Sequence, residues 1–200
     1  MSDLFHKKAA DWDGQTIPQQ LSQTIGPEMI KRLNLSPDME VMDFGAGTGL
    51  LTSHILPLVK NVTAVDISES MLNQLAAKPE FHGNVIPICQ NILEKPLEKK
   101  FDLIISAMAM HHVQQTPLML KRFAQHLKPG ALIALADLDA EDGSFHPPQT
   151  EGIFHHGFDR KAFTLLLQEA GFESIEFFTA HIVEKDGKDF PVFLVSGKKS

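Results

Sequence analysis

The amino-acid sequence predicts an α/β fold: a doubly wound sheet, mostly parallel, that finishes in an antiparallel hairpin. Three observations predict it. Short apolar runs at Glu40–Phe44, Asn61–Asp66, Asn84–Cys89, Phe101–Ala107 and Ala131–Leu138 alternate with helical patterns. They are nearly continuous in apolar residues, as strands buried on both faces of a parallel sheet are. A glycine-rich turn follows the first run, in Val41-Met42-Asp43-Phe44-Gly45-Ala46-Gly47-Thr48-Gly49-Leu50-Leu51. The tail then carries two runs, Phe172–Thr179 and Phe190–Ser196, joined by Lys185-Asp186-Gly187-Lys188 with no helix between them. Sequential strands without a crossover run antiparallel if they pair.

The intervening helices follow from stripes and end signals. Leu51, Ile55 and Leu58 share a face after the glycine turn. Thr116 is placed as an N-cap with Pro117 at the first helical position. Leu120, Phe123, Ala124 and Leu127 mark that helix's buried stripe, and Lys128-Pro129-Gly130 stops it. Asp159 caps a last helix whose buried face is Phe163, Leu166, Leu167 and Ala170, closed by Gly171. Strand and helix in alternation imply right-handed βαβ units. Before the first strand, Leu4, Phe5, Lys8, Ala9 and Trp12 share a helical face. Leu21, Ile25, Met29, Ile30 and Leu33 share another, interrupted at Gly26-Pro27. Residues 1–35 are too few for a domain and read as a cap over the carboxyl edge of the sheet formed by 36–200.

Two hundred residues suit one α/β domain, and 43% apolar with 22% charged residues suit a packed globular chain. The net charge of −7 offers no basic stripe for nucleic-acid phosphates. Cys89 is the only cysteine, so no internal disulfide forms, which fits a reducing compartment. The first residues, MSDLFHKKAADWDG, lack the apolar core of a signal peptide, and no run has the length of a membrane span. The expectation is a cytoplasmic protein with no membrane or DNA partner.

The chemistry concentrates at the glycine turn. Glycine permits the positive φ and close backbone approach that a ligand crossing a strand-to-helix turn demands. The nicotinamide fingerprint is GxGxxG, with pyrophosphate on the helix N-terminus. Here the spacing is GxGxG after Asp43, with Leu50 where the third glycine would stand. A carboxylate there suits a cationic ligand better than a pyrophosphate. Asp66 ends the second strand, 17 residues beyond Gly49, where the ribose-binding acid of a nucleoside site belongs. Ile67 and Met71 follow it and can pack on the base.

With these motifs the chain resembles the class I S-adenosylmethionine-dependent methyltransferase family. DFGAGTG, AVDIS-ESML, FDLIISAMAMHHV, LKPGALIALAD and the GFESIEFF…FLVSGKK tail stand in that family's order, from about Val41 to Gly197. The resemblance implies a Rossmann-like sheet of seven strands with a reversed last strand. It implies S-adenosyl-L-methionine as cofactor and S-adenosyl-L-homocysteine as product. Asp43 then meets the methionine ammonium, Gly45, Ala46, Gly47, Thr48 and Gly49 form the cradle, and Asp66 takes the ribose hydroxyls. Cys89-Gln90-Asn91-Ile92 holds the adenine edge, although many relatives carry an acid where Gln90 and Asn91 stand. Ala107, Met108 and His112 contribute further cofactor contacts.

Other residues carry two readings each. His111 and His112 follow the fourth strand at the carboxyl edge, where open α/β sheets bind ligands. They act as a base and substrate contact, or they pack and hydrogen-bond locally. The long polar stretch Asp139–Phe158 holds His146, His155 and His156. Loops of this length are often functional, so His155 and His156 are candidate substrate or catalytic residues. With Glu151 they invite a metal reading, but the spacing matches no zinc pattern and no metal is expected. Phe5 and Trp12 either line the substrate or anchor the cap. The segment after the fourth strand lacks the Asn/Asp-Pro-Pro-aromatic sequence of nucleobase amino-methyltransferases. The sequence reading is therefore methyl transfer to a small-molecule acceptor. A non-catalytic cofactor-binding protein and, less well matched, a nicotinamide oxidoreductase are the alternatives. The fold alone establishes none of the three.

Overall fold

In a computed structural model, which describes residues 3–200, the chain forms one seven-stranded sheet in the order β3-β2-β1-β4-β5-β7-β6. The strands are β1 (Glu40–Phe44), β2 (Asn61–Asp66), β3 (Val85–Cys89), β4 (Phe101–Ala107), β5 (Leu127–Leu138), β6 (Phe172–Lys185) and β7 (Lys188–Lys199). The first five are parallel, whereas β7 runs antiparallel to both β5 and β6. The chain winds outward from β1 through β2 to β3, then returns to place β4 on the other flank of β1. That reversal opens a crevice above the carboxyl ends of β1 and β4, where such sheets bind ligands.

Alternate residues of the central strands build two cores. Met42, Phe44 and Ile104 face α4 (Thr116–His126) and α5 (Arg160–Glu169), which contribute Phe123 and Phe163. Val41, Val62, Leu103 and Ile105 face α1 (Thr16–Arg32) and α2 (Leu50–Ile55). A third cluster joins Ala46 and Ala64 to Leu72 and Leu75 of α3 (Glu69–Ala76).

Several local expectations are corrected. Helix α1 runs unbroken through Gly26-Pro27. Gly26 lies against His54, whose Cγ a Cβ would meet at 2.5 Å, and Ser22 donates to the Leu50 carbonyl. The glycine thus serves the close approach of α1 to α2 rather than a break. Leu58 is exposed because α2 ends at Ile55 and Pro57 turns the chain into a short 3-10 segment. Thr116 makes no cap; its hydroxyl pairs with His155 Nε2 at 3.1 Å. Lys128-Pro129-Gly130 belongs to β5, within a register shift against β4. The hairpin strands reach beyond the predicted runs to a two-residue turn at Asp186-Gly187. A register shift between Thr179 and His181 breaks the alternation there. The extension of β6 carries Val183, which is buried in the same cluster as Phe145 and as Phe190, the first residue of the second predicted run.

Asp159 does cap α5, accepting from the Ala162 N–H at 2.8 Å. The long connection before it is clipped at its base. Phe158 N–H donates to Leu138 O, Ala140 N–H to Phe158 O and Glu141 N–H to His156 O. Gly157 makes the clip possible: its φ is +72°, and a Cβ would stand 2.0 Å from the Asp139 carbonyl oxygen. Gly157→Ala is expected to cost at least ~2 kcal/mol in urea unfolding, since it combines left-handed backbone strain with a clash against backbone.

Candidate active site

The glycine turn leaves β1 beneath the N-terminal segment. Gly45 is pressed by Ala109 and Gly49 by Phe81, so neither tolerates a side chain. Gly47 differs. Its φ is +54°, yet nothing lies within 4 Å of where its Cβ would stand. Packing does not require glycine there, and the space above it is an open cradle. Gly47 N–H donates to Asp66 Oδ2 at 2.8 Å, so the acid at the end of β2 reaches across to the turn. Its other oxygen accepts the Ser68 N–H at 2.8 Å. Burial raises the Asp66 pKa against these hydrogen bonds.

Asp43, at the end of β1, is buried and accepts the Thr52 hydroxyl at 2.6 Å. Burial pushes its pKa up to about 7, opposed by Thr52 and assisted by the Asp66 charge. Two carboxylates thus flank the open cradle, neither with a cation at hydrogen-bond distance among the described residues. A nucleoside with a cationic tail fits this arrangement: hydroxyls for Asp66, a positive group to neutralise Asp43, and no backbone obstacle over Gly47.

The remaining cofactor-side residues are placed unevenly. Ile67 is 66% exposed beside Asp66, whereas Met71 is buried on α3. Gln90 N–H donates to the Asp66 carbonyl, and its side-chain amide donates to Lys95 O. The Asn91 amide is used locally, accepting from Leu93 N–H and donating to Glu94. Ile92 is fully buried in the core, which leaves only its backbone to meet a ligand. Met108 follows β4 at φ +55°, a conformation that costs a non-glycine residue energy, and donates its N–H to Ala136 O. Ala107 and Met108 are both half-buried at the mouth of the crevice.

Beyond them the sequence reading missed a network. His111 Nδ1 lies 2.7 Å from Asp137 Oδ1 on β5, and both side chains are buried. Asp137 also accepts the N–H groups of Met110, His111 and Leu138. His112 Nδ1 donates to the Gly152 carbonyl at 2.8 Å. His146, from the long loop, completes a cluster of three rings, with centroids 5.0 Å from His111 and 6.3 Å from His112; His111 and His112 are 4.2 Å apart. Burial, with the neighbouring His111, pushes the His112 and His146 pKa values down to about 4. Both rings are neutral at physiological pH. The signal for Asp137 was present: an acid ends an apolar strand there, as at Asp43 and Asp66.

The rings of His155 and His156 do not join this cluster. His155 Nε2 is held at 3.0 Å by the Val113 carbonyl and by Thr116, while His156 faces solvent beside Glu141. Their positions in the clipped base of the loop turn them away. No group of three or more His, Cys, Asp or Glu side chains among the described residues is arranged to hold a metal ion.

The N-terminal segment lies across both parts. Asp13 bonds the Thr48 hydroxyl and pairs with Lys78 Nζ at 2.6 Å, and Lys78 also donates to Thr48 O. Asp3 accepts the Ser70 N–H and His6 pairs with the Ser70 hydroxyl. Phe5 sets its edge on His112 at 5.3 Å and stands edge-on to Trp12 at 5.9 Å.

A family model described as a methyltransferase domain matches residues 17–176. The chain belongs to the methyltransferase domain family. An uncharacterised methyltransferase of Schizosaccharomyces pombe is 28% identical over 157 residues, covering 69% of this chain and 55% of that protein. A ubiquinone biosynthesis O-methyltransferase of Nitrobacter winogradskyi is 31% identical over 118 residues, covering 58% of this chain and 44% of the relative. The methyltransferase domain thus spans about half the length of the curated relatives it matches. Among solved structures, a chain of the complex between the Haloferax volcanii Trm112 methyltransferase activator and a methyltransferase superposes with a TM-score of 0.82. It covers 99% of this chain and 98% of its own at 16% identity. The N-methyltransferase NodS of Bradyrhizobium japonicum, in complex with S-adenosyl-L-homocysteine, gives 0.73, covering 98% and 94% at 14% identity. These two share the fold of the methyltransferase domain. No helix among its described residues is long and apolar enough to cross a membrane.

Proposed function

We propose that the methyltransferase domain transfers the methyl group of S-adenosylmethionine to a small-molecule acceptor held above β4 and β5. The observation that carries this reading is the pair of carboxylates, buried Asp43 and half-buried Asp66, on either side of the open turn at Gly47. Asp66 would take the ribose hydroxyls, with Ile67 beside the adenine. Asp43 would face the methionine ammonium, and the Gly47 backbone would lie under the ligand. S-adenosylmethionine supplies an activated sulfonium methyl, so the domain's work is binding, alignment and exclusion of water. The acceptor side is bounded by His111 and His112 after β4, by His146 from the loop, and by Phe5 and Trp12 from the N-terminal segment. The net charge of −7 favours a small acceptor over a nucleic acid.

Calorimetric titration tests the reading. S-adenosylmethionine and S-adenosylhomocysteine should bind, and NAD should not. Tight NAD binding without S-adenosylhomocysteine binding would overturn it, and a methyl-transfer screen over metabolite pools then seeks the acceptor. Asp66→Ala is expected to weaken S-adenosylhomocysteine by about 1.5–3 kcal/mol, the scale of hydrogen bonds to a charged group.

A further inference from the structure

Two imidazole nitrogens in the acceptor region are left without partners. His111 Nε2 and His146 Nε2 are both buried and have no hydrogen-bond partner among the described residues. Buried polar atoms are nearly always paired, and leaving one unpaired costs about 1–3 kcal/mol. Two in neighbouring rings, 5.0 Å between centroids, mark a place built to receive a polar group.

The tautomer of His111 follows from its surroundings. Three backbone N–H groups besides the imidazole point at the two oxygens of Asp137, an arrangement made for a carboxylate. Asp137 can then only accept, so His111 Nδ1 carries the proton and Nε2 presents its lone pair. His112 is fixed in the same sense, because its Nδ1 faces the Gly152 carbonyl. His146 also lines a cavity with Ser144, Pro147, Pro148 and Lys185.

We propose that His111 Nε2 is the base for a hydroxyl-bearing acceptor, with Asp137 as its positioning residue and His146 Nε2 holding the same oxygen. This deepens the proposed function and rests on it. A hydroxyl donates to the His111 lone pair and accepts from His146 in its Nε2–H tautomer, so one group satisfies both nitrogens. An ammonium group fits worse. The oxygens of Asp137 are already engaged, His112 and His146 are neutral, and the Lys8 and Lys185 charges bear on those two rings. A hydroxyl also needs the base, since the neutral oxygen is a poor nucleophile until its proton leaves. As the acceptor oxygen forms its bond to the methyl carbon, its proton passes to His111 Nε2. The electron pair of the broken carbon–sulfur bond stays on sulfur. The positive charge lost from the sulfonium reappears on the imidazolium, beside the Asp137 carboxylate.

Nitrogen-15 histidine NMR on the full chain loaded with S-adenosylhomocysteine tests this without knowing the natural acceptor. The expected spectrum has His111 in the Nδ1–H tautomer. Phenol, the hydroxyl probe, should shift Nε2 of both His111 and His146, whereas toluene and benzylamine should not. His146→Phe keeps the ring and should weaken phenol about tenfold, the loss of one hydrogen bond. Asp137→Asn should disturb the His111 tautomer; the wild-type tautomer and His146→Phe stand as tests even if that variant does not fold. An Nε2–H tautomer at His111, silence of both nitrogens towards phenol, or an equal response to benzylamine would overturn the proposal. Failure of S-adenosylhomocysteine to bind at all would instead remove the proposed function beneath it.

Discussion

Replacing Asp43 by asparagine is expected to stabilise the free methyltransferase domain at pH 8 while removing most of its affinity for S-adenosylhomocysteine. Asp43 is buried, with a pKa pushed from 3.8 up to about 7. The folded state therefore holds a proton that the unfolded chain has released, and folding stability falls as pH rises from about 4 through 7. Above that window the buried charge costs on the order of 4 kcal/mol. Asparagine removes the charge and keeps an oxygen for the Thr52 hydroxyl, which now donates to Asp43 Oδ2. Urea unfolding should show the variant gaining stability at pH 8 and matching wild type near pH 4. The depressed His112 and His146 weaken the fold as pH drops from 6.5 towards 4, but they do so in both proteins and cancel in the difference. In calorimetry the wild-type affinity for S-adenosylhomocysteine should rise with pH between about 6 and 8, as Asp43 ionises to meet the ammonium. The variant should be weaker by about 10- to 100-fold, the scale of a charged hydrogen bond, with no such rise. Equal stability of the two proteins at pH 8, with equal affinity, would show that the Asp43 charge does neither job.

The second large effect concerns the N-terminal segment. Deleting residues 1–13 removes the bonds of Asp13 to Thr48 and Lys78, the contacts of Asp3 and His6 with Ser70, and the Phe5 ring over His112. Apart from Ala9, the removed side chains that are described are not buried, so the sheet should remain folded. S-adenosylhomocysteine affinity should fall only severalfold, because the carboxylates and the glycine turn remain. Methyl transfer should fall by about 100-fold or more, since alignment and water exclusion over the acceptor are lost. Full transfer by the shortened protein would make the segment a packing element and nothing else. Trp12, the only tryptophan, gives an independent signal. In the intact chain its fluorescence should respond to S-adenosylhomocysteine.

How far the sequence foretold the molecule depended on whether a feature was local. The five parallel strands were legible because each is a short apolar run bounded by turns, and four of them matched their predicted bounds to within a residue. The antiparallel close was legible because no crossover helix separates Lys185 from Lys188. Helix α1 was misread at Gly26-Pro27, where a residue pair that usually ends helices serves contact with His54, a neighbour 28 positions away. The carboxylates Asp43 and Asp66 stood out from spacing alone. Asp137 did not, because its significance lies in His111, 26 residues earlier, and only the pairing of β4 with β5 brings them together. His146 was noticed as one of several loop histidines. Its grouping with His155 and His156 failed because the clip at Gly157 turns those two rings elsewhere.

The central claim is that a cationic nucleoside lies in the open space over Gly47, between Asp43 and Asp66. It is tested most directly by titrating S-adenosylhomocysteine into wild type and into Gly47→Val, with circular dichroism confirming that both are folded. The valine side chain would enter space that no atom now fills and would strain the positive φ at residue 47, so stability should fall by about 1–3 kcal/mol while the protein that folds loses binding. Unchanged affinity in a folded Gly47→Val protein would contradict the placement of the cofactor.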